Sequence, residues 1–261
     1  MKASAFAYAK PASLQEAFEL LSRPNAKVLA GGQSLIPSLN MRLSSPELLV
    51  DITGLKGLSE IKILNGVVIV GALVTHAQLE KSPEIKKHVP LLAQAVPHIA
   101  HAAIRNRGTL GGSLAMADPA AEYPAVAVAL EALFLVEGKN GKRTIKAAQF
   151  FKGLFETDLR PGELLTAVEF PVAKALDKSV FLELARRHGD YAIVGLAMHN
   201  ERFAFLGVGD RPVLFSFRNR EESKKELQAK LKPPADLYNS AAAKLHLAGV
   251  LLERAWNTAA T

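Results

Sequence analysis

Two Gly-Gly pairs, each at the end of a buried segment, place the strongest constraint on what this chain can fold into and bind. Gly31-Gly32 and Gly111-Gly112 are both followed by polar residues. Glycine lets the backbone adopt positive φ and approach a ligand, and consecutive N–H groups at a turn or helix start form a nest for anionic oxygen. The two loops together predict a clamp for one pyrophosphate, although either pair alone is more typical of a tight turn. Three hydroxyls beside them add donors: Ser34, Thr109 and Ser113.

Several other classes of site are excluded by what the sequence lacks. No G-x-G-x-x-G opens a helix, and the P-loop, G-x-S-x-G and H-E-x-x-H signatures do not occur. The chain has no cysteine, so it carries no disulfide, cysteine-ligated zinc, iron-sulfur cluster or thiol nucleophile, and redox chemistry here requires a bound organic cofactor. His98 and His101 could hold a metal from one predicted helix, but packing or capping is the more ordinary role. We therefore predict no catalytic residue and no metal ligand.

Charge and hydropathy limit the binding partners and the cellular location that we expect. The 32 basic and 25 acidic residues give a net charge of +7, and the basic ones are scattered without the interleaved aromatic residues of a nucleic-acid surface. The longest apolar runs fall well short of the roughly 20 residues of a membrane span. The N-terminal segment reaches Lys10 and Pro11 before any apolar leader develops. A cytoplasmic protein that binds neither nucleic acid nor membrane is expected.

Local signals predict an α+β fold in two domains. Ser13 to Glu16 forms a capping box that starts a helix, and Asn65-Gly66 joins two short strands into a hairpin. Helices are predicted over 91–104 and 119–130, and Pro171 marks a boundary. Beyond it, strands over 180–187, 191–199, 202–208 and 213–217 form an antiparallel meander, followed by an exposed helix over 220–231 and an apolar helix over 240–256 that packs on the meander. The predicted domains are 1–173, with subdomains of about 1–55 and 56–173, and 174–261.

Two carboxylates follow the second glycine loop. Asp118 and Glu122 are spaced one turn apart on the predicted helix after Gly112. As carboxylates they can accept hydrogen bonds from sugar or ribityl hydroxyls. Capping the helix is an equally good explanation for Asp118.

Four stretches resemble a known family, in the same order and over nearly the whole chain. They are 30–52, beginning A-G-G-Q-S-L-I-P; 105–122, with R-N-R-G-T-L-G-G-S-L-A and A-D-P-A-A-E; 186–192, R-R-H-G-D-Y-A; and 246–251, H-L-A-G-V-L. The chain therefore resembles the FAD-binding medium subunits of the molybdenum hydroxylases, a family that includes aerobic carbon monoxide dehydrogenase and belongs to the xanthine dehydrogenase group. Segment 213–232 departs from the family's pattern.

The resemblance implies a two-part FAD-binding domain of the vanillyl-alcohol oxidase type, followed by a small domain of antiparallel sheet and helices. FAD would lie between them, with its pyrophosphate on the glycine loops. Tyr191 would lie near the isoalloxazine ring, although packing in the core is its alternative role. The cofactor-binding residues implied are Leu29, Ala30, Gly31, Gly32, Gln33, Ser34, Leu35, Ile36, Thr109, Leu110, Gly111, Gly112, Ser113, Asp118, Glu122, Leu165 and Tyr191.

In such enzymes a large subunit with a molybdenum cofactor hydroxylates the substrate, and a small subunit carries two 2Fe-2S clusters. The resemblance implies that this chain passes electrons from those clusters through FAD to an external acceptor, within a dimer of heterotrimers. The absence of cysteine agrees, since the clusters must then lie on a partner. Two alternatives stay open: a stand-alone flavin reductase of the enolpyruvyl reductase type, and a non-enzymatic basic binding module.

Overall fold

Three larger β-sheets and one two-stranded sheet organise the computed structural model of this chain, which describes residues 2–260. The first sheet is parallel, in the order β1-β3-β2, and is covered by helix α1. Ser13 caps α1 by accepting a hydrogen bond from the Glu16 N–H (3.2 Å), which confirms the predicted helix start. Its elements are β1 (Ala7–Ala9), α1 (Leu14–Leu21), β2 (Ala26–Leu29), α2 (Leu35–Asn40) and β3 (Leu48–Asp51).

The second sheet is antiparallel, in the order β4-β5-β10-β6-β7, and short helices pack against it. The predicted hairpin is confirmed: Asn65 and Gly66 have φ of 50° and 79°, as a primed turn requires. The elements are β4 (Ile61–Leu64), β5 (Val67–Gly71), α3 (His76–Lys81), α4 (Pro83–His88), α5 (Pro90–Ala95), a 3₁₀ turn (Val96–His98), α6 (Ala102–Arg105), α7 (Leu110–Met116), α8 (Glu122–Ala129), β6 (Leu133–Gly138), β7 (Gly141–Lys146), α9 (Ala147–Phe150), β8 (Phe151–Gly153), β9 (Glu156–Thr157) and β10 (Leu164–Pro171).

The third sheet is the predicted antiparallel meander, with its four strands in chain order. The C-terminal helix packs across the first two strands, as expected from its apolar sequence. The preceding helix is less exposed than predicted, because Ser223 and Leu227 on one side of it are buried. The elements are β11 (Ser179–Leu184), β12 (Val194–His199), β13 (Arg202–Leu206), β14 (Val213–Ser216), α10 (Arg220–Lys230) and α11 (Ala241–Ala260).

Two predicted helices were wrong in extent. The helix expected over 91–104 is broken into α5, the 3₁₀ turn and α6, with Ala100 at a φ of 45° between the last two. His98 and His101 therefore lie on different elements rather than on one helical face. The helix expected from 119 begins instead at Glu122. Asp118 does not cap it: the Asp118 carboxylate accepts the Ala120 N–H (2.9 Å) in the preceding turn.

The second and third sheets share one hydrophobic core. Phe181, Ala197 and Leu206 of the meander belong to the same buried cluster as Val68 and Phe134 of the five-stranded sheet. The Gln94 side chain joins α5 to β11, since its amide N–H donates to the Ser179 carbonyl (3.0 Å) and its amide oxygen accepts the Phe181 N–H (2.9 Å). The predicted limits of the domains at 173 and 174 stay a prediction. No helix within residues 2–260 is both long and apolar enough to span a membrane.

Candidate functional site

The two glycine loops lie directly against each other. A Cβ built on Gly31 would stand 2.1 Å from the Arg107 carbonyl oxygen and 2.9 Å from the Gly108 Cα, so only glycine permits this approach. A Cβ on Gly112 would come within 3.9 Å of the Ala30 Cβ, which is a second point of proximity. The loop after β2 and the loop before α7 thus form one surface, although they are about eighty residues apart in sequence.

The first loop offers free backbone donors. Within residues 2–260, the N–H groups from Gly31 to Leu35 donate no hydrogen bond to another protein group, and the first bonded one is that of Ile36, which donates to the Gly32 carbonyl (3.0 Å). Gly32 has a φ of +75°, a conformation that other residues adopt only with strain. Successive unpaired N–H groups at such a turn suit an anionic oxygen.

The second loop differs from the expectation that bare amides face the ligand on both sides. The N–H groups of Leu110 and Gly111 donate to the carbonyls of Val74 (3.0 Å) and Ala72 (2.9 Å), and the Gly112 N–H donates to Thr109 Oγ1 (3.1 Å). Gly111 is needed for a different reason: a Cβ there would stand 2.5 Å from the Ala72 Cβ. What this loop presents to a ligand is therefore hydroxyl hydrogens and an open surface at Gly112, rather than free N–H groups.

Two cavities of about 410 and 320 Å³ adjoin the loops and share Ala30, Gly31, Thr53 and Arg107 as walls. They form one groove. Of the predicted residues, the walls contain Leu29, Ala30, Gly31, Gly32, Gln33, Ile36 and Thr109. The sequence analysis missed Pro37, Asn40, Asp51, Thr53, Ser59, Leu73, Thr75, Gln78, Asn106 and Arg107.

Two of the missed residues carry charge into the groove. Arg107 is exposed and lines both cavities, so its guanidinium adds positive charge beside the first loop. Asp51 is buried at the other side. Burial pulls the pKa of Asp51 upward, but hydrogen bonds from Thr53 and Tyr8 outweigh it and hold the pKa below its usual value. Asp51 is therefore an anion that can accept hydrogen bonds from sugar hydroxyls and would repel phosphate, whereas Arg107 attracts phosphate.

A patch of acidic groups lies beyond the other end of α7. That helix has seven residues and a length of about 10 Å, and it separates the second loop from Asp118 and Glu122. Burial, with smaller contributions from the carboxylates of Glu183 and Asp118, raises the pKa of Glu122 to about 8. Burial alone raises the pKa of Glu183 to about 7, and Glu183 Oε2 has no hydrogen-bond partner within the described residues. Glu183 was not identified from the sequence.

Tyr191 belongs to the same patch. It lies in the loop before β12 rather than at the start of the predicted strand, and 73% of it is exposed. Partial desolvation of its hydroxyl, with the carboxylates of Asp118 and Glu122 nearby, raises the pKa of Tyr191. Because the ring is exposed, core packing does not explain this residue.

The remaining predicted site residues do not line the two cavities. Leu165 is buried within the main core at the β-bulge of β10, and Leu110 and Gly111 are buried in α7. Four others lie at the surface or partly exposed around the groove: Ser34, Leu35, Gly112 and Ser113. The assignment of these residues to a cofactor stays a prediction.

The residues present fit an FAD. The unpaired donors at Gly31 to Leu35 and the charge of Arg107 would hold its diphosphate, and the carboxyl of Glu122 is a group that can hydrogen-bond to hydroxyls of its chain. Glycine at position 31 lets the two loops meet beside the groove, because a Cβ there would clash with the Arg107 carbonyl. The unpaired Glu183 Oε2 is a buried polar atom that still lacks a partner.

Comparison with known proteins gives a consistent result. A family described as the FAD binding domain in molybdopterin dehydrogenase matches residues 4–173. The nicotine 6-hydroxylase medium subunit of Paenarthrobacter nicotinovorans is 43% identical over 199 residues, covering 76% of this chain and 70% of that protein. Among solved structures, carbon monoxide dehydrogenase from Hydrogenophaga pseudoflava superposes with a TM-score of 0.94 at 33% identity, covering 99% of this chain and 98% of that one. Quinoline 2-oxidoreductase from Pseudomonas putida 86 gives 0.92 at 38% identity, with 100% and 98% coverage.

Proposed function

This chain belongs to the FAD-binding medium subunits of the molybdenum hydroxylases, which are oxidoreductases, and we propose that it is the electron-transfer subunit of a heterotrimeric complex. The single observation that carries the proposal is the contact of the Gly31 and Arg107 backbones beside a row of unpaired N–H groups. When bound, FAD accepts electrons and passes them to an external acceptor. This chain's own residues bind it, orient it and set the charge around it.

Each part of the groove has a role in that binding. The N–H groups from Gly31 to Leu35 would donate to the diphosphate, with Arg107 adding positive charge and Thr109 a hydroxyl. Glu122, held neutral by burial, would exchange hydrogen bonds with hydroxyls of the ribityl chain. Tyr191 would lie beside the isoalloxazine ring and limit access to it. The other cofactor-binding residues implied by the resemblance are proposed to make further contacts with FAD around these positions.

We place the cofactor in a two-part domain of the vanillyl-alcohol oxidase type. The parallel sheet β1-β3-β2 supplies the first loop and the sheet β4-β5-β10-β6-β7 supplies the second, which supports a division near residue 55. The meander with α10 and α11 would be the C-terminal domain, 174–261, and it closes the flavin end of the groove with Glu183 and Tyr191.

The partners follow from the relatives and from the composition. The relative from Paenarthrobacter is a medium subunit, and the structure from Hydrogenophaga is that of a carbon monoxide dehydrogenase lacking the Mo-pyranopterin moiety of its molybdenum cofactor. A chain without cysteine cannot hold an iron-sulfur cluster, so the electrons must reach FAD from clusters on another chain. We propose a large molybdenum subunit and a small 2Fe-2S subunit as partners, in a cytoplasmic dimer of heterotrimers.

A pair of glycine substitutions tests the proposal. The purified full chain should bind FAD with one-to-one stoichiometry in a fluorescence titration. Gly31→Ala should abolish binding, because the new Cβ forces the two loops apart. Gly66→Ala is the matched control: it places alanine at a φ of +79° in an open hairpin turn, so it costs about 1 kcal/mol of stability but leaves the groove intact. A chain that does not bind FAD, or a Gly31→Ala variant that binds like the wild type, would contradict the proposal.

A further inference from the structure

A buried hydrogen bond joins the first residue of α3 to the second residue of α8. The Tyr123 hydroxyl lies 3.0 Å from His76 Nδ1, and the two rings meet edge to face with centroids 5.2 Å apart. His76 is 4% exposed and Tyr123 is 1% exposed. Neither residue is among the cofactor contacts discussed above.

His76 contacts the backbone of the second glycine loop at Gly108. Its backbone N–H donates to the Gly108 carbonyl (3.0 Å), and a Cβ on Gly108 would stand 2.6 Å from His76 Nε2. The neighbouring Thr75 forms a β-bridge with Thr109, the N-cap residue of α7. The imidazole therefore packs directly on the backbone of the loop.

Tyr123 connects the same bond to the acidic patch, because it follows Glu122 in the first turn of α8. The loop and the patch lie at opposite ends of α7, and the helix is one connection between them. The hydrogen bond between His76 and Tyr123 is therefore a second link between the loop and the patch.

Both partners of this hydrogen bond are uncharged at neutral pH. Burial, with the positive charge of Arg105 nearby, lowers the pKa of His76 to about 4, and burial raises the pKa of Tyr123 well above its usual value. The charged groups around the pair are Arg105 from α6, Glu80 from α3 and Glu122 from α8; Arg105 and Glu80 form an ion pair at 3.0 Å. At neutral pH the imidazole is uncharged and the phenol is protonated, so the pair shares one hydrogen bond whose donor is set by the imidazole tautomer.

We propose that His76 and Tyr123 are a positioning pair for the cofactor: their hydrogen bond holds the second glycine loop and the carboxyl of Glu122 in the spacing that one FAD needs to contact both. The inference rests on the proposed function, since it assumes that FAD occupies the groove. It assigns a role to two residues that do not touch the cofactor themselves.

The test compares two buried hydroxyls that each bond to a ring nitrogen. Tyr123→Phe removes the bond to His76, and Ser223→Ala removes the bond that the Trp256 indole N–H donates to Ser223 Oγ (3.0 Å) in the C-terminal helices. Both variants should lose thermal stability. Only Tyr123→Phe should also raise the Kd for FAD, by about tenfold, in a fluorescence titration of the full chain.

A double variant separates positioning from the burial of an unpaired atom. His76→Leu with Tyr123→Phe leaves no unpaired polar atom, so its Tm should recover toward that of the wild type, while the Kd for FAD stays raised. This variant also carries the test if Tyr123→Phe alone does not fold. The inference is overturned if the double variant regains normal FAD affinity, or if Ser223→Ala and Tyr123→Phe raise the Kd equally. Failure of the wild type to bind FAD would instead contradict the proposed function.

Discussion

Replacing Glu122 by glutamine should remove most of the dependence of folding stability on pH near neutrality. The residue is 8% exposed, and burial raises the pKa of its carboxyl from 4.5 to about 8, with Glu183 and Asp118 adding to the effect. Between these two values the folded chain keeps a proton that the unfolded chain releases, so the free energy of unfolding falls as pH rises. The gap corresponds to about 5 kcal/mol in full, of which about 3 kcal/mol is lost by pH 7.

Urea unfolding of the FAD-free full chain, between about pH 5 and pH 8, measures this effect. The cofactor must be absent, because its binding would add its own contribution to stability. Glu122→Gln should be nearly as stable as the wild type at the acid end and more stable at the alkaline end. A smaller slope should remain from Glu183, whose pKa burial raises to about 7.

Glu19→Gln is the control, since Glu19 lies exposed on α1 and should keep the slope of the wild type. Parallel stability curves for Glu122→Gln and the wild type would refute the reasoning. They would mean that Glu122 is ionised in the folded chain at neutral pH and does not donate a hydrogen bond from the patch.

Three further predictions concern the loops. Gly111→Ala should lower the Tm of the FAD-free chain by more than Gly66→Ala does, because its Cβ would stand 2.5 Å from the Ala72 Cβ; equal shifts in calorimetry would contradict this. Arg107→Ser should raise the Kd for FAD about threefold at low ionic strength and less at 1 M salt, with little change in Tm, as titrations at the two salt concentrations would show. His76, buried in its neutral form, should contribute a loss of about 3 kcal/mol as pH falls from 6.5 through 4, opposite in sign to the contributions of Glu122 and Glu183, so the stability of the wild type relative to His76→Asn should fall by that amount in acid titrations of the two proteins.

The sequence predicts this fold well wherever a local signal decides the structure. The hairpin at Asn65-Gly66 needs two residues of positive φ, and the four strands of the meander are separated by short polar turns. The helix over 91–104 was predicted wrongly because its apolar residues continue past Pro97 without a change of pattern. The break there depends on Ala100 and on contacts from distant segments, which periodicity does not reveal.

The general position of the site was also predictable, because a local sequence signal marks it. The glycine pairs mark the first loop, but the N–H groups of Leu110 and Gly111 are engaged by the segment 72–74, a pairing over more than thirty residues. Glu183 looks like an ordinary polar position in an alternating strand, and only packing buries it. His76 stands inside a capping box and reads from sequence as a surface residue of a helix start.

The core shared between the second and third sheets joins segments of the chain that are synthesised at different times. On the ribosome, the loops that contain Gly31 and Gly112 are synthesised well before β11, which carries Glu183 and the backbone partners of Gln94. In the proposed binding mode, the loops at the diphosphate are therefore made early, and Glu183 and Tyr191 are made only in the last third of translation. If the proposed binding mode is right, stable loading of FAD requires that synthesis has passed Tyr191.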